Sequence, residues 1–334
     1  MNYIGSKLKL CHQFLSPTIK SVCGEDLSQK TFCDIFAGTG IVGRTFKTSV
    51  KTVICNDIEY YSYVLNKNYI ENHCVIANKN DFIDELNSLP LIDNGFIYKN
   101  YCLGGNGERQ YFSDLNGKRI DTIRTKIEEW KNNDKIGSGL YFFLLCSLLE
   151  CADRVANTAS VYGAYLKKLK KSAQKELVLE PAEYELSDNK HLVFNADANE
   201  LITEIEGDIL YLDPPYNARQ YGANYHLLNT IAEYKPFSPL GKTGLRKYYK
   251  SKYCSTNSVK EEFENLIKNA SFKHIFLSYN NEGLMTVEDV KSIMSKYGHY
   301  NLAKTDYQRF KADSNRFNKS DSTVEYLHIL EKDS

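Results

Sequence analysis

The chain has 334 residues, 42 of them basic and 42 acidic, for a formal net charge of zero at pH 7, and 42% of its residues are hydrophobic. This composition excludes a disordered or fibrous chain. No apolar run approaches the ~20 residues of a transmembrane helix, so a soluble globular protein with no membrane partner is expected. Zero net charge would argue against a polyanionic partner if the charges were evenly spread, and they are not.

The length suits one α/β core carrying insertions. The nine cysteines form no Cys-x-x-Cys pair and have no histidine at metal spacing. Several fall inside predicted strands or helices, where a thiol packs as a small hydrophobe. Free thiols in the reducing cytoplasm are expected, with no structural zinc or other metal. The chain contains no internal repeats and no low-complexity segments.

Residues 8–19 form the first predicted helix, preceded by Asn2-Tyr3-Ile4-Gly5-Ser6-Lys7, and this stretch lacks the apolar core and cleavage site of a signal peptide. A strand over 30–36 runs into Gly38-Thr39-Gly40-Ile41-Val42-Gly43, and the next strand, over 52–55, ends in Asn56-Asp57. Glycines at such a turn let the backbone approach a ligand closely, and an acid ending the following strand can accept from ribose hydroxyls. Asp57 falls about 20 residues after the first glycine, as in the dinucleotide fingerprint. Nucleotide, nicotinamide and S-adenosylmethionine (SAM) sites share that pattern, and a glycine turn without a ligand is the plain alternative. The pattern therefore indicates an adenosine-containing cofactor without choosing one.

A helix is predicted over 59–71. Residues 73–190 are less patterned, with the loop Gly104-Gly105-Asn106-Gly107 and helices over 115–131 and 140–149. This excursion is longer than a β–α sheet needs between its second and third strands, and such insertions are more often functional than connecting. Near its end lies a basic run, Lys167, Lys168, Lys170 and Lys171, followed by acids over 176–208. A strand over 192–194 resumes the sheet. Asp197 after it either accepts from an adenine ring or caps a helix over 198–204.

The apolar run Ile209-Leu210-Tyr211-Leu212 leads directly into Asp213-Pro214-Pro215-Tyr216. Two consecutive prolines cannot join a ladder, so the strand must stop in a rigid turn at the carboxyl edge of the sheet, where open α/β sheets bind ligands. The Asp213 carboxylate and the Pro214 carbonyl offer two acceptors beside the aromatic face of Tyr216, which suits a planar base held by its exocyclic amino group. A purely structural strand-ending turn is the competing reading.

Residues 217–255 are polar and rich in tyrosine, with Arg219 and Gln220 suited to base contacts. Within them Lys242, Arg246, Lys247, Lys250 and Lys252 interleave with Tyr248, Tyr249 and Tyr253. Basic side chains neutralise phosphates and aromatic rings stack on exposed bases, although either basic run by itself is equally a solvated face. Strands over 272–279 and 324–330 complete the sheet, the latter as its edge.

Taken together, Tyr-Ile-Gly-Ser-Lys at 3–7, Asp-Ile-Phe-Ala-Gly-Thr-Gly at 34–40, Asn-Asp at 56–57 and Asp-Pro-Pro-Tyr at 213–216 resemble the DNA adenine-N6 methyltransferases. The order is that of the Dam-like class, with cofactor motifs first and the catalytic motif last. The resemblance implies a Rossmann-like, SAM-dependent methyltransferase fold: a mixed, mostly parallel α/β sheet with an inserted target-recognition region. It assigns 1–72 and 191–334 to the catalytic domain and 73–190 to target recognition, with 217–255 as a further DNA-facing loop. It implies SAM contacts from Tyr3, Lys7, Phe36, Gly38 and Gly40, with Asp57 on the ribose hydroxyls and Asp34 near the methionine moiety. Asp213, Pro214, Pro215 and Tyr216 would carry catalysis, Asp213 touching both cofactor and base.

The implied reaction uses neither a metal nor a protein nucleophile. The adenine amino lone pair is delocalised into the ring, and two acceptors on its hydrogens let the nitrogen rehybridise toward the SAM methyl, largely an orientation effect. The base must leave the duplex first, at a cost of a few kcal/mol. The stretch 221–232, with Asn224-Tyr225-His226-Leu227-Leu228, is similar to type II modification methylases, which favours double-stranded DNA as partner and a cognate restriction endonuclease acting on the same site. A monomer is the default. Cytosine N4, RNA or a protein glutamine are alternative acceptors of the same chemistry, and a nicotinamide-dependent oxidoreductase would leave Asp-Pro-Pro-Tyr without a role.

Overall fold

The computed structural model describes residues 7–308 and 322–333. Tyr3, expected at the cofactor, lies outside the described residues. Two compact units divide the described residues: one takes 7–58, 187–220 and 249 onward, and the other takes 59–186 and 221–248.

The first unit is built on a seven-stranded sheet. Its strands are β1 (Thr31–Asp34), β2 (Thr52–Asn56), β3 (Leu192–Phe194), β4 (Glu206–Leu212), β5 (Ser271–Asn280), β6 (Gly298–Gln308) and β7 (Ser322–Lys332), in the order β3-β2-β1-β4-β5-β7-β6. Neighbours among β1 to β5 are parallel, and β7 runs antiparallel to both β5 and β6. Ile209 to Leu212 are all buried, the near-continuous apolar run expected of a parallel strand covered on both faces. The helix Val259–Asn269 supplies part of one cover, with Val259, Phe263, Leu266 and Ile267 forming a single apolar stripe packed with Leu210 and Ile275.

Register sets where the chemistry falls. Asp34 pairs level with Tyr211, so Asp213 projects just beyond the end of the ladder, next to the ends of β1 and β2. At the opposite end Asp208 of β4 clamps that strand to β1, accepting from the Thr31 amide at 2.8 Å and pairing with Lys30 at 3.1 Å. Asn56, 1% exposed, ties three strand ends together. Its Nδ2 donates to the carbonyls of Ile35 and Ala196, both at 3.1 Å, and its Oδ1 accepts from the Ala196 amide at 3.0 Å.

The last strand is not the edge. β7 lies between β5 and β6, and the edge strand is β6, which the sequence pattern did not predict. None of its described side chains over 298–306 is buried, so no buried apolar face marks it as a strand in the sequence.

The second unit is helical. Tyr60–Asn66 continues through a π-helical turn, Lys67–Glu71, and is followed by Lys79–Ser88, Phe96–Tyr101, Asp114–Asn132, Ser138–Val155, Tyr221–Asn224 and His226–Glu233. Ser138–Val155 is its most buried helix, with Phe143 to Leu149 all inaccessible. Ile120, Ile123, Ile127 and Trp130 give Asp114–Asn132 its buried face, and Ser113 caps its start by accepting from the Asn116 amide. The packing boundary falls at 58/59, whereas the resemblance divides the chain at 72/73. The helix Tyr60–Asn66 packs on His226–Glu233, where Asn229 accepts from the Tyr61 amide at 2.9 Å and donates to Glu59 at 2.5 Å.

Replacing Asn56 with Ala leaves the Ile35 carbonyl and both Ala196 backbone groups without their partner. The expected loss is about 2–4 kcal/mol, read as a lower urea midpoint with an unchanged m-value.

Candidate active site

The glycine turn after β1 is shaped by backbone geometry that only glycine adopts freely. Gly38 has φ +53° and Gly40 has φ +76°, the latter capping the helix Ile41–Phe46 and accepting from the Arg44 amide at 2.9 Å. The Gly38 amide donates to Asp57 Oδ2 at 2.8 Å, so the acid at the end of β2 braces the turn. Asn195 in turn donates to the carbonyls of Asp57 and Ile58 at 2.7 and 3.0 Å. Phe36 meets Tyr253 edge to face, with ring centroids 5.2 Å apart.

Asp197, expected at the cofactor, and Tyr253, expected at DNA, both have internal partners. Asp197 is a helix N-cap: one carboxylate oxygen accepts from the Asn199 amide at 2.8 Å and the other from the Tyr249 hydroxyl at 2.7 Å. The helix it starts, Ala198–Leu201, ends before 204. Tyr253, one of the rings interleaved with the second basic run, is 5% exposed and donates to Asn199 Oδ1 at 2.7 Å. It is core, and not a platform for an exposed base. Its bracing of Phe36 spans 217 positions in sequence, which no local pattern announces.

The Asp213 turn follows β4. Pro214 is buried, while Pro215 and Tyr216 are half-buried. The Tyr216 carbonyl accepts from the Leu284 amide at 2.9 Å, and its ring meets Tyr279 edge to face at 6.4 Å. These contacts pin the turn to the segment leaving β5. The Asp213 side chain keeps 22% of its surface open, and its Oδ1 lies 3.5 Å from Lys7 Nζ. Lys7, 12% exposed, also pairs with Glu325 on β7 and donates to Ser278 Oγ on β5 at 2.9 Å. Neither Glu325 nor Ser278 was predicted to belong to this site. Their separation from Lys7 by hundreds of residues hides them from any sequence motif.

The electrostatics are those of crowded carboxylates around one cation. Burial raises Asp213 from 3.8 to about 6, against the opposing pull of Lys7, and the Glu325 carboxylate adds to the rise. Burial alone would lower the Lys7 ammonium, but Asp213 and Glu325, with Tyr211, more than reverse this and hold it well above its ordinary range. Asp34 is 1% exposed, and neither of its oxygens makes a well-formed hydrogen bond. Burial, then the neighbouring Asp213, pushes its carboxyl well up, with Asp57 contributing and the Gly43 amide opposing.

The family description "D12 class N6 adenine-specific DNA methyltransferase" matches residues 3–293. The chain belongs to this family. It is 62% identical to the type II methyltransferase M.NlaIII of Neisseria lactamica over 334 residues, covering 99% of each chain. It is 38% identical to the type II methyltransferase M.CviAII of Paramecium bursaria Chlorella virus 1, covering 93% of each. Identity to the type II methyltransferase M.FokI of Planomicrobium okeanokoites is also 38%, but there the whole chain spans 53% of the relative's length.

As a D12 class methyltransferase, the chain modifies adenine N6 in DNA with SAM as methyl donor, and the nicotinamide, cytosine-N4, RNA and glutamine alternatives fall away. The site suits such a donor. Asp34 lies within electrostatic reach of both Asp213 and Asp57 at the carboxyl edge, and its buried carboxyl lacks a well-formed partner. Acceptors of this kind match a ligand carrying a sulfonium and an ammonium.

The basic residues expected at DNA fall into two groups. Lys167, Lys168, Lys171, Arg219, Lys247 and Lys250 are exposed. Lys170 donates to the Thr158 carbonyl at 2.8 Å, and Arg246 pairs with Glu233 at 2.8 Å. Gln220 exchanges two hydrogen bonds with the Ser251 backbone, at 2.8 and 3.3 Å. The nine cysteines are free thiols, all buried except Cys23 and Cys74. Among the described residues no group of three or more His, Cys, Asp or Glu could hold a metal ion, and no helix is long and apolar enough to cross a membrane.

The raised Asp213 carboxyl has a thermodynamic consequence with a definite sign. Because the folded chain disfavours its ionisation, stability declines as pH rises from the unfolded value of 3.8 through about 6. Asp213→Asn removes that cost: the variant is expected to be more stable by on the order of 2–3 kcal/mol at pH 8, with the gain vanishing near pH 4. Urea unfolding of both proteins at the two pH values checks this, and a gain that persists at pH 4 contradicts it.

Proposed function

We propose that this chain is a site-specific modification enzyme for duplex DNA, and that Asp213, Pro214, Pro215 and Tyr216 form its catalytic turn. The observation that carries the reading is the partly open Asp213 carboxylate on a rigid proline turn at the carboxyl end of β4, beside a buried cation. SAM, when bound, supplies the methyl group. The Asp213 carboxylate and the Pro214 carbonyl accept the two amino hydrogens of the target adenine, which frees the nitrogen lone pair. Tyr216 stacks on the flipped base and offsets part of the unstacking cost. The Phe36 wall, the Gly38–Gly40 turn and Asp57 bind the adenosine part of the cofactor, with Asp34 and Lys7 toward its methionine end. Asp197 acts by anchoring Tyr249, since both its oxygens are engaged.

The helical unit, 59–186 with 221–248, takes target recognition, a segment that overlaps the 73–190 region and adds part of the 217–255 loop. Exposed Lys167, Lys168, Lys171 and Lys247 are its phosphate contacts, with Lys170 and Arg246 supporting the backbone there. Within the sheet unit itself, Lys250 contacts phosphate and Arg219 a base, and Gln220 supports the Ser251 backbone. The type II relatives support a modification role, which we place beside a cognate endonuclease. In this reading the enzyme acts in the cytoplasm as a monomer.

Methyl transfer from labelled SAM to unmethylated duplex DNA, followed by nucleoside analysis, is expected to yield N6-methyladenine. Asp213→Ala is expected to lower kcat by at least about a thousandfold while the circular dichroism spectrum stays native. Retained transfer in that variant excludes the mechanism.

Combined Lys167→Ala, Lys168→Ala and Lys171→Ala replacement is expected to weaken DNA binding about equally across sequences. It should flatten the salt dependence by roughly one unit of slope for each phosphate that is no longer neutralised. Unchanged binding would return the run to solvated surface.

A further inference from the structure

We propose that Glu325 and Ser278 are positioning residues for methyl transfer: they hold the Lys7 ammonium back from Asp213, so that the Asp213 carboxylate stays free to accept from the target amino group. This rests on the role given to Asp213 above. Lys7 Nζ donates to Glu325 Oε1 and to Ser278 Oγ, the latter at 2.9 Å, but stands 3.5 Å from Asp213 Oδ1. That last distance is an ion pair and exceeds a normal N–H···O hydrogen bond. The Ser278 hydroxyl donates to the same Glu325 oxygen at 2.9 Å, leaving its lone pair to Lys7. Glu325 is 5% exposed and Ser278 is fully buried.

A second carboxylate buried beside a catalytic one is costly unless it does something that burial of an apolar residue would not. Here it anchors a flexible side chain. Without Glu325, the strongest acceptor left to Lys7 is Asp213, and an ammonium closed onto that carboxylate competes for the oxygen that the adenine amino group needs. Held where it is, Lys7 still favours the ionised carboxylate through space. The groups facing Asp213 are Lys7 and Cys11 from the N-terminal helix, Asp34 from β1, Tyr211 and Tyr216 from its own segment, and Glu325 from β7. Lys7 is the cation among them.

The test uses the full chain with Glu325→Gln, Ser278→Ala and Asp213→Asn, measuring steady-state transfer to unmethylated duplex DNA from pH 5 to 9 and SAM binding separately by calorimetry. Glu325→Gln is expected to lower the plateau kcat about tenfold with SAM affinity within about twofold, and to move the acid limb of kcat to lower pH by at least about half a unit. Both the missing negative charge and the tighter approach of Lys7 favour the ionised Asp213, so the shift has one sign. Ser278→Ala should move the limb in the same direction by less, and it carries the test if Glu325→Gln does not fold. A limb that stays in place in the folded variants overturns the inference, and Ser278→Ala is the decisive one. It removes no charge, so its limb moves only if Lys7 moves, whereas Glu325→Gln also shifts the limb through its lost charge. If Asp213→Asn is inactive while the limb stays put, only the positioning role fails; if Asp213→Asn retains transfer, the role of Asp213 fails and takes the inference with it.

Discussion

One buried ammonium holds the candidate site together. Lys7 lies against Asp213, Glu325 and Ser278, joining the N-terminal helix to the ends of β4, β5 and β7. Carboxylates cannot be gathered at a sheet edge without a cation or a shared proton, since burial penalises each charge. The directions of the shifts follow: Lys7 is held protonated, Asp213 is raised but still ionises near neutrality, and Asp34 is pushed well up. A site with surplus acceptors is prepared for a cationic ligand, and SAM, the donor of this family, is one.

The parallel sheet explains why these groups meet at all. β1, β2 and β4 run in the same direction, so their following loops emerge on one edge. Gly38 and Gly40 supply left-handed backbone there, Asp57 braces the turn through the Gly38 amide, and Asn56 locks the strand ends from beneath. Asp57 serves the fold directly, since its carboxylate fixes the glycine turn, and the proposed ribose contact would use the same carboxylate. Asp197 goes the other way, with both oxygens engaged by the protein.

Much of this was legible before the structure. The four motifs lie at loops after strands, where turn chemistry is local and glycine and proline leave plain marks. Strands buried on both faces also read clearly, because their apolar runs are continuous, as in Ile209 to Leu212. The edge strand β6 did not read, since none of its described side chains over 298–306 is buried and no apolar face marks it, and β7 was consequently assigned the edge that β6 occupies. The basic runs read only in part. Composition cannot distinguish the exposed Lys168 from Arg246, which is paired with Glu233, or the half-exposed Tyr249 from the buried Tyr253.

By itself the sequence determined the family, the mostly parallel α/β class, the cofactor type and the order of the cofactor and catalytic motifs, because each depends on residues within a few positions of one another. Tertiary structure alone decided the neighbours of Lys7, the bracing of Phe36 by Tyr253, the internal engagement of Asp197 and Gln220, and the packing of the helix Tyr60–Asn66 with the second unit. Those contacts join segments tens to hundreds of residues apart. A hydrogen bond or ion pair across such a gap depends on register and packing, and leaves no periodicity or spacing in the chain.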